Sequence, residues 1–152
     1  MFSGRRRQGD SLESYAATVE HILQRLNIDP ERSRMTPEQG GYAWTFQRGS
    51  AVIEIYISQQ DDRGFLQVLS PIIHIPPTNL LALYRRLLEL NLQLTNASLG
   101  VYLDVVYVFN ERPLEGLDAT EADSIITRVA GYADELDNDL VNEFGGRLYS
   151  QL

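Results

Sequence analysis

The sequence predicts an α+β domain built on an antiparallel sheet, with its elements in the order α-β-β-β-α-β(-β)-α. Residues 42–75 contain three stretches of alternating apolar and polar side chains joined by short turns, which is typical of an antiparallel meander. Residues with helical periodicity precede and follow these stretches. This segregation of strands from helices defines the α+β class.

The first predicted helix spans residues 11–27. Asp10 and Glu13 have the spacing of a capping box at its start, and Asp29-Pro30 ends it. His21 lies opposite the apolar arc, so we expect it to face solvent. The apolar residues recur at helical spacing within an arc of about 120°; they are Leu12, Tyr15, Ala16, Val19, Ile22, Leu23 and Leu26.

Three strands follow the first helix. Turns at residues 48–50 and 61–64 separate them, and the third strand runs from Phe65 to about Ile75. Pro71 has no amide N–H, so we expect it at a sheet edge or at a bulge. In the first strand, Tyr42, Trp44 and Phe46 occupy every second position. In the second strand, Ile53, Ile55 and Ile57 do the same.

The second predicted helix, residues 76–94, is broadly apolar. Its apolar side chains cover about half of the circumference, which is wider than one sheet contact requires. We therefore expect a second packing partner, and the alternative is a groove covered by the chain's own loops. The residues assigned to a homodimer interface on this helix are Leu83, Tyr84, Leu87 and Leu90.

Asn91 falls in the middle of that apolar arc. A buried amide that makes no hydrogen bond costs about 1–3 kcal/mol. We therefore expect Asn91 to fix the loop at residues 95–98 or a strand end, with a polar contact to a ligand as the alternative.

Residues 99–110 are apolar and rich in β-forming residues. One continuous strand and a hairpin that turns near Asp104 are both compatible with this composition. The continuous strand is favoured by a shared parity of the apolar residues, which are Leu99, Val101, Leu103, Val105, Tyr107 and Phe109.

The last predicted helix starts near Asp118, with Glu121 completing a capping box, and Gly145-Gly146 ends it. Its predicted buried stripe consists of Ile125, Val129, Tyr132, Ala133, Leu136 and Leu140. An acidic run on this helix lacks the glycine turn of a calcium loop, so we expect a solvated face; it contains Asp134, Glu135, Asp137, Asp139 and Glu143.

Composition excludes several classes of function. The chain contains no cysteine, which excludes disulfides and thiolate-ligated metals, and it contains no lysine, which excludes Schiff-base chemistry. A net charge of −8 opposes binding to nucleic acid, which needs a cationic surface. The absence of cysteine fits the cytoplasmic location that we expect. The sequence has no apolar window of about 18 residues, so we predict no membrane-spanning helix.

We predict no catalytic, cofactor-binding or metal-binding residues. His21 and His74 are too few and too far apart to form a metal cluster, turn chemistry explains Asp61-Asp62, and no Gly-x-Ser-x-Gly elbow occurs. Aromatic side chains on the predicted sheet suit a surface that binds a protein, with a core position as the alternative for Trp44 and Phe65. This partner-binding surface is assigned to the first predicted helix and to a sheet face and edge that carry Tyr42, Trp44, Tyr56 and Phe65.

The chain divides into three parts in this interpretation. Residues 1–10, with Arg5, Arg6 and Arg7, are expected to be a disordered arm. Residues 11–146 form a single domain, and residues 147–152 form a C-terminal tail.

Two segments and the order of elements resemble the type III secretion chaperone-like fold. The segment LLALYRRLLELNLQLTNASLGVYLDVVYVFNERPLEGLD is similar to the central helix of that family, whose Leu-Leu-x-x-Asn ending corresponds here to Leu87, Leu88 and Asn91. The segment VLSPIIHIPPTNL resembles the YbjN-like branch and related cyanobacterial-type uncharacterised domains. The resemblance covers about residues 11–145 and favours two strands in residues 99–110.

The resemblance implies a non-enzymatic protein-interaction module, chaperone-like or adaptor-like, that binds a partner polypeptide as a homodimer. It links the YbjN-like branch to regulation. The alternative function is a small-ligand sensor with a pocket between the sheet and the second helix, around Asn91 and His74.

Overall fold

The computed structural model describes residues 11–150, so the predicted arm and Asp10 lie outside the described residues. The elements are α1 Leu12–Arg25, α2 Pro30–Ser33, β1 Arg34–Met35, β2 Tyr42–Arg48, β3 Ala51–Gln60, β4 Arg63–His74, α3 Leu80–Asn91, β5 Ser98–Tyr102, β6 Val105–Pro113, α4 Ala119–Phe144 and β7 Arg147–Leu148. The predicted α+β class and the order of the main elements are confirmed. The short elements α2, β1 and β7 were not predicted, and β7 comes from residues assigned to the tail.

The described residues contain one antiparallel sheet with the strand order β1-β2-β3-β4-β6-β5. β7 pairs with Ile73 and His74 of β4, on the edge opposite β6 and beyond the part of that edge that pairs with β3. β4 therefore lies at the centre, with β1 and β5 at the two edges. The predicted position of Pro71 is confirmed as a bulge, because the pairing of β4 with β6 changes register between Pro71 and Ile73.

One face of the sheet forms the core with α1, α3 and α4. Every second residue of β3 points into this core, where Ile53, Ile55 and Ile57 are fully buried. The helices contribute their apolar stripes, including Val19, Leu87 and Val129. The opposite face, which we call the open face, carries side chains that alternate with those of the core; it includes Glu54, Tyr56, Phe65, Leu69, Tyr107 and Phe109.

The helix ends follow local capping chemistry. Asp118 accepts a hydrogen bond from the Glu121 amide and starts α4, as predicted, and Gly145 ends that helix with a φ of 83°. The expectation for α1 was wrong in detail, because Ser11 is its N-cap and accepts from the Ser14 amide. Serine and aspartate are both favoured caps, so composition alone did not distinguish them.

Of the two alternatives left open for residues 99–110, the hairpin is observed, and the continuous strand favoured by the parity of the apolar residues is not. β5 and β6 form a hairpin with a two-residue turn, in which Leu103 and Asp104 both have positive φ angles of 46° and 62°. Tyr102 pairs with Val105 across this turn, which breaks the shared parity of the segment. The hairpin favoured by the family resemblance is the observed structure.

The acidic run of α4 is not uniformly solvated, which corrects a second expectation. The Asp137 side chain is only 1% exposed and packs against the β2–β3 turn. Its Oδ2 atom accepts a hydrogen bond from the Ser50 hydroxyl at 2.6 Å, while Asp134 accepts from the Ser50 amide at 3.1 Å. These two carboxylates therefore attach the turn to the helix.

Candidate functional site

The open face brings together two of the four residues assigned to partner binding. Tyr56 lies on β3 and pairs with Gln67, and Phe65 lies two positions away on β4, opposite Ser58. Both aromatic side chains are half-buried and accessible from outside. They form the centre of a continuous surface across the middle strands.

The other two assigned residues lie on the opposite face. Trp44 is fully buried in the core, and its indole Nε1 donates to Glu20 Oε1 at 3.3 Å. Tyr42 stacks on Trp44 with ring centroids 6.2 Å apart and lies at the rim of the core. The core alternative considered for Trp44 is thus the one observed, and Trp44 supports the sheet rather than forming a surface.

A cleft of about 540 Å³ next to Tyr56 was not identified from the sequence. The loop at residues 36–40 forms one side of it, and Ala43, Tyr56, Ser58 and Gln67 form the sheet side. Gly41 allows the close approach of this loop, because a Cβ atom there would lie 2.2 Å from the Ile57 carbonyl oxygen. Glutamine side chains line the cleft and can both donate to and accept from a peptide backbone.

A second groove of about 450 Å³ lies between Glu54 and the β5–β6 hairpin. Burial raises the pKa of the Glu54 carboxyl, and a hydrogen bond from Tyr56 partly offsets that shift. Burial also raises the pKa of Tyr107, with a smaller effect from the Glu54 charge. The sequence analysis did not identify this groove, because β3 and the β5–β6 hairpin are brought together only by their positions in the sheet.

The residues assigned to a dimer interface separate into buried and exposed positions. Leu83, Leu87 and Leu90 are 5% exposed or less and pack in the core of the same chain. Among the four, only Tyr84 reaches the surface, with 37% exposure. The expectation that Leu83, Leu87 and Leu90 contact a second copy is therefore not supported by their positions.

A different set of leucines covers the outer side of α3. Leu81, Leu88 and Leu92 are 85%, 69% and 91% exposed, and together with Tyr84 they form what we call the α3 outer surface. The broad apolar arc predicted from the sequence has one side in the core and the other side in this surface. Neither the sequence pattern nor the width of the arc showed which of these leucines are buried in the core and which are exposed.

Asn91 has the structural role that the sequence predicts. Its Oδ1 accepts from the Leu99 amide at 2.6 Å, and its Nδ2 donates to the Leu99 carbonyl at 3.3 Å. His74 lies on β4, separated from β5 by β6, and stacks on Tyr149. Asn91 and His74 therefore do not line one pocket, and the space between α3 and the sheet is filled by Leu83, Leu87 and Leu90.

Comparison with models of known protein families identifies the family of this chain. A family model described as "T3SS (YopN, CesT) and YbjN peptide-binding chaperone 1", TY-Chap1, matches residues 14–152. The chain belongs to this family. The predicted resemblance to type III secretion chaperones and to the YbjN-like branch is confirmed, and the family describes a peptide-binding, chaperone-like protein.

Two solved structures share the fold of this TY-Chap1 chain at low sequence identity. A chain of the HopA1-SchA chaperone–effector complex aligns with a TM-score of 0.59 and 12% identity, covering 84% of this chain and 95% of that chain. A chain of the ExsC-ExsE complex aligns with a TM-score of 0.63 and 11% identity, covering 86% and 96%. At these identities the likeness establishes the fold, and no curated protein matches the sequence.

Two further features of the described part of this TY-Chap1 chain bear on function. Among residues 11–150, no helix is both long and apolar enough to cross a bilayer. The same residues contain no group of three or more histidine, aspartate or glutamate side chains arranged to hold a metal ion. The open face, with its two clefts, is the candidate binding site among the described residues.

Proposed function

We propose that this chain is a non-enzymatic chaperone or adaptor that holds an extended segment of a partner polypeptide and acts as a cytoplasmic homodimer with a regulatory role. The family description supports peptide binding. Two structural neighbours come from complexes, one of which is named as a chaperone with its effector. The open face with its aromatic centre is the observation that carries the proposal.

The partner-binding surface in this proposal consists of Tyr56, Phe65 and the adjoining cleft under residues 36–40. Tyr56 and Phe65 supply apolar area with little loss of conformational entropy, which is typical of binding surfaces. The amide side chains of the cleft supply hydrogen bonds to a peptide backbone. Tyr42 stays at the rim, and Trp44 keeps β2 in place from the core side.

The dimer in this proposal forms through the α3 outer surface rather than through the buried leucines. Full burial of one leucine side chain contributes about 1.5–3 kcal/mol, so three exposed leucines supply a sizeable part of the free energy needed for association at micromolar concentration. Tyr84 lies on the same surface and belongs to the interface. Leu83, Leu87 and Leu90 stabilise α3 from the inner side.

Affinity capture from the source organism's lysate tests partner binding. We expect the wild-type chain to capture one stoichiometric polypeptide, and native mass spectrometry to show two copies of the chain in the complex. The double variant Tyr56→Ala, Phe65→Ala should lose this partner while its thermal melt stays near wild type. The matched control Gln47→Ala, an exposed residue of the same sheet, should capture normally; equal capture by the double variant would remove the surface assignment.

Light scattering at tens of micromolar tests the dimer. We expect two copies for the wild type and one copy for Leu88→Glu, because a carboxylate at the centre of the α3 outer surface would be buried without a partner. Arg85→Ala is the control, since Arg85 is exposed on α3 and pairs with Glu89 within the same helix. A monomeric wild type would refute the homodimer.

A further inference from the structure

Glu54 is a half-buried carboxylate whose surroundings are largely apolar. It projects from the middle of β3 onto the open face, where its neighbour across the strand pair is Leu69. None of the ion pairs between described residues involves Glu54. The Tyr56 hydroxyl is its hydrogen-bonding neighbour, so the carboxylate lacks a cationic partner within residues 11–150.

The groove beside Glu54 is lined mainly by aromatic side chains. Tyr107 and Phe109 lie on β6 and Tyr102 lies on β5, and all three line the groove. Leu69 and Gly100 also line it, and the Phe109 ring lies over Gly100, where an added Cβ atom would be 3.4 Å from that ring. The result is an open groove of about 450 Å³ whose lining contains one carboxylate.

The chemistry of these groups selects a cation. A carboxylate that is partly removed from water is stabilised by an opposite charge at short range. Aromatic faces attract a cation through their quadrupoles, and Tyr102, Tyr107 and Phe109 line the same groove as Glu54. The net charge of −8 adds a long-range field that favours the approach of cationic ligands.

Among biological cations, guanidinium fits this groove better than ammonium. Its planar form stacks on aromatic rings, and its donors match both oxygens of one carboxylate. We infer that the groove is a subsite for an arginine side chain of the polypeptide held on the open face. This inference rests on the proposed peptide-binding function, and it adds the chemical class of one residue in the ligand.

The probe for this subsite is Nα-acetyl-arginine amide, titrated into the ¹⁵N-labelled full-length chain and followed by NMR. We expect saturable shifts of the backbone amides of Glu54, Leu69 and Phe109. Nα-acetyl-citrulline amide has nearly the same shape without the charge and should bind at least tenfold more weakly. The variant Glu54→Gln keeps the size of the side chain and should weaken binding of the arginine probe by at least tenfold.

Glu111→Gln is the matched control variant. Glu111 lies on the same face two positions beyond Phe109, is exposed, and contacts Gln67. It should bind the arginine probe as the wild type does. Equal binding of arginine and citrulline amides, or unchanged binding by Glu54→Gln, would overturn the subsite.

The test of the arginine subsite and the test of the proposed function can fail independently. If lysate capture still yields one partner polypeptide while the arginine probe leaves the spectrum unchanged, the subsite is wrong and the chaperone function stands. If the groove instead receives a second copy of this chain, Glu54→Gln will lower the mass in light scattering, and that result also overturns the subsite.

Discussion

Replacing Ser50 by alanine removes the hydroxyl that connects the β2–β3 turn to α4. The Ser50 Oγ atom lies 2.6 Å from Asp137 Oδ2, and the Asp137 side chain is 1% exposed. The backbone hydrogen bond from the Ser50 amide to Asp134 stays in place. The substitution therefore removes the short hydrogen bond to Asp137, and the longer contact of the same hydroxyl with Asp134 Oδ1 at 3.3 Å, without removing the turn from the helix.

A hydrogen bond to a charged group contributes about 1.5–3 kcal/mol to stability. We expect Ser50→Ala to lower the free energy of unfolding at pH 7 by this amount. For a chain of this length, the loss corresponds to a fall in Tm of about 3–12 °C. The neighbouring Asn138 Nδ2, which donates to Ser50 Oγ at 3.1 Å, loses an acceptor as well.

The effect of Ser50→Ala depends on pH. Burial raises the pKa of Asp137, and the hydrogen bond from Ser50 opposes that shift. Between the unfolded pKa and the raised folded pKa, the folded state binds more protons, so this group's contribution to stability falls as pH rises. Without the hydroxyl the folded pKa is higher still, and the variant loses more stability on going from about pH 4 to pH 7 than the wild type does.

Urea unfolding at both pH values measures this difference. Asp139→Asn is the control, because Asp139 is an exposed carboxylate on the same helix and its replacement should change stability by less than about 0.5 kcal/mol. The reasoning fails if Ser50→Ala costs no more than that control at pH 7, or if its cost is the same at both pH values.

Three other substitutions test local features of the fold by urea unfolding. Asn91→Ala should cost about 1–3 kcal/mol because it leaves the backbone at the start of β5 unpaired, and a loss below 0.5 kcal/mol would contradict that role. Gly49→Ala should destabilise, since its Cβ would lie 2.1 Å from Asp134 Oδ1, whereas Gly131→Ala, in open space on α4, should stabilise by up to about 1 kcal/mol; the same sign for both would be inconsistent with the structure. Leu103→Asn should stabilise the β5–β6 turn, because asparagine adopts positive φ more readily than leucine, and a loss of stability would show that Leu103 makes a contact worth more than the strain.

Much of the fold follows from local signals in the sequence. The cap at Asp118 and the stop at Gly145 define α4, because short-range hydrogen bonds and the positive φ of glycine determine helix ends. The alternation of Ile53, Ile55 and Ile57 predicts which side of β3 is buried. Asn91 was correctly predicted to bond to a strand end, since a buried amide needs a partner wherever it lies.

The candidate site could not be predicted from local sequence patterns, because it depends on contacts between segments that are far apart in the chain. Tyr56 and Phe65 are accessible while Trp44 is buried, yet all three are aromatic residues on strands, and only the position of the helices decides which face is covered. In the same way, the width of the apolar arc on α3 predicted two packing sides but not which leucines point inward.

The sequence by itself determined the α+β class, the family, the ends of α4 and the absence of thiolate and lysine chemistry, because these depend on composition and on interactions within a few residues. The tertiary structure alone decided the open face, the burial of Asp137, the hairpin at Leu103-Asp104 and the groove at Glu54. Each of these arises where segments far apart in the chain meet, and the free energy of such contacts depends on which surfaces are covered rather than on the order of neighbouring residues.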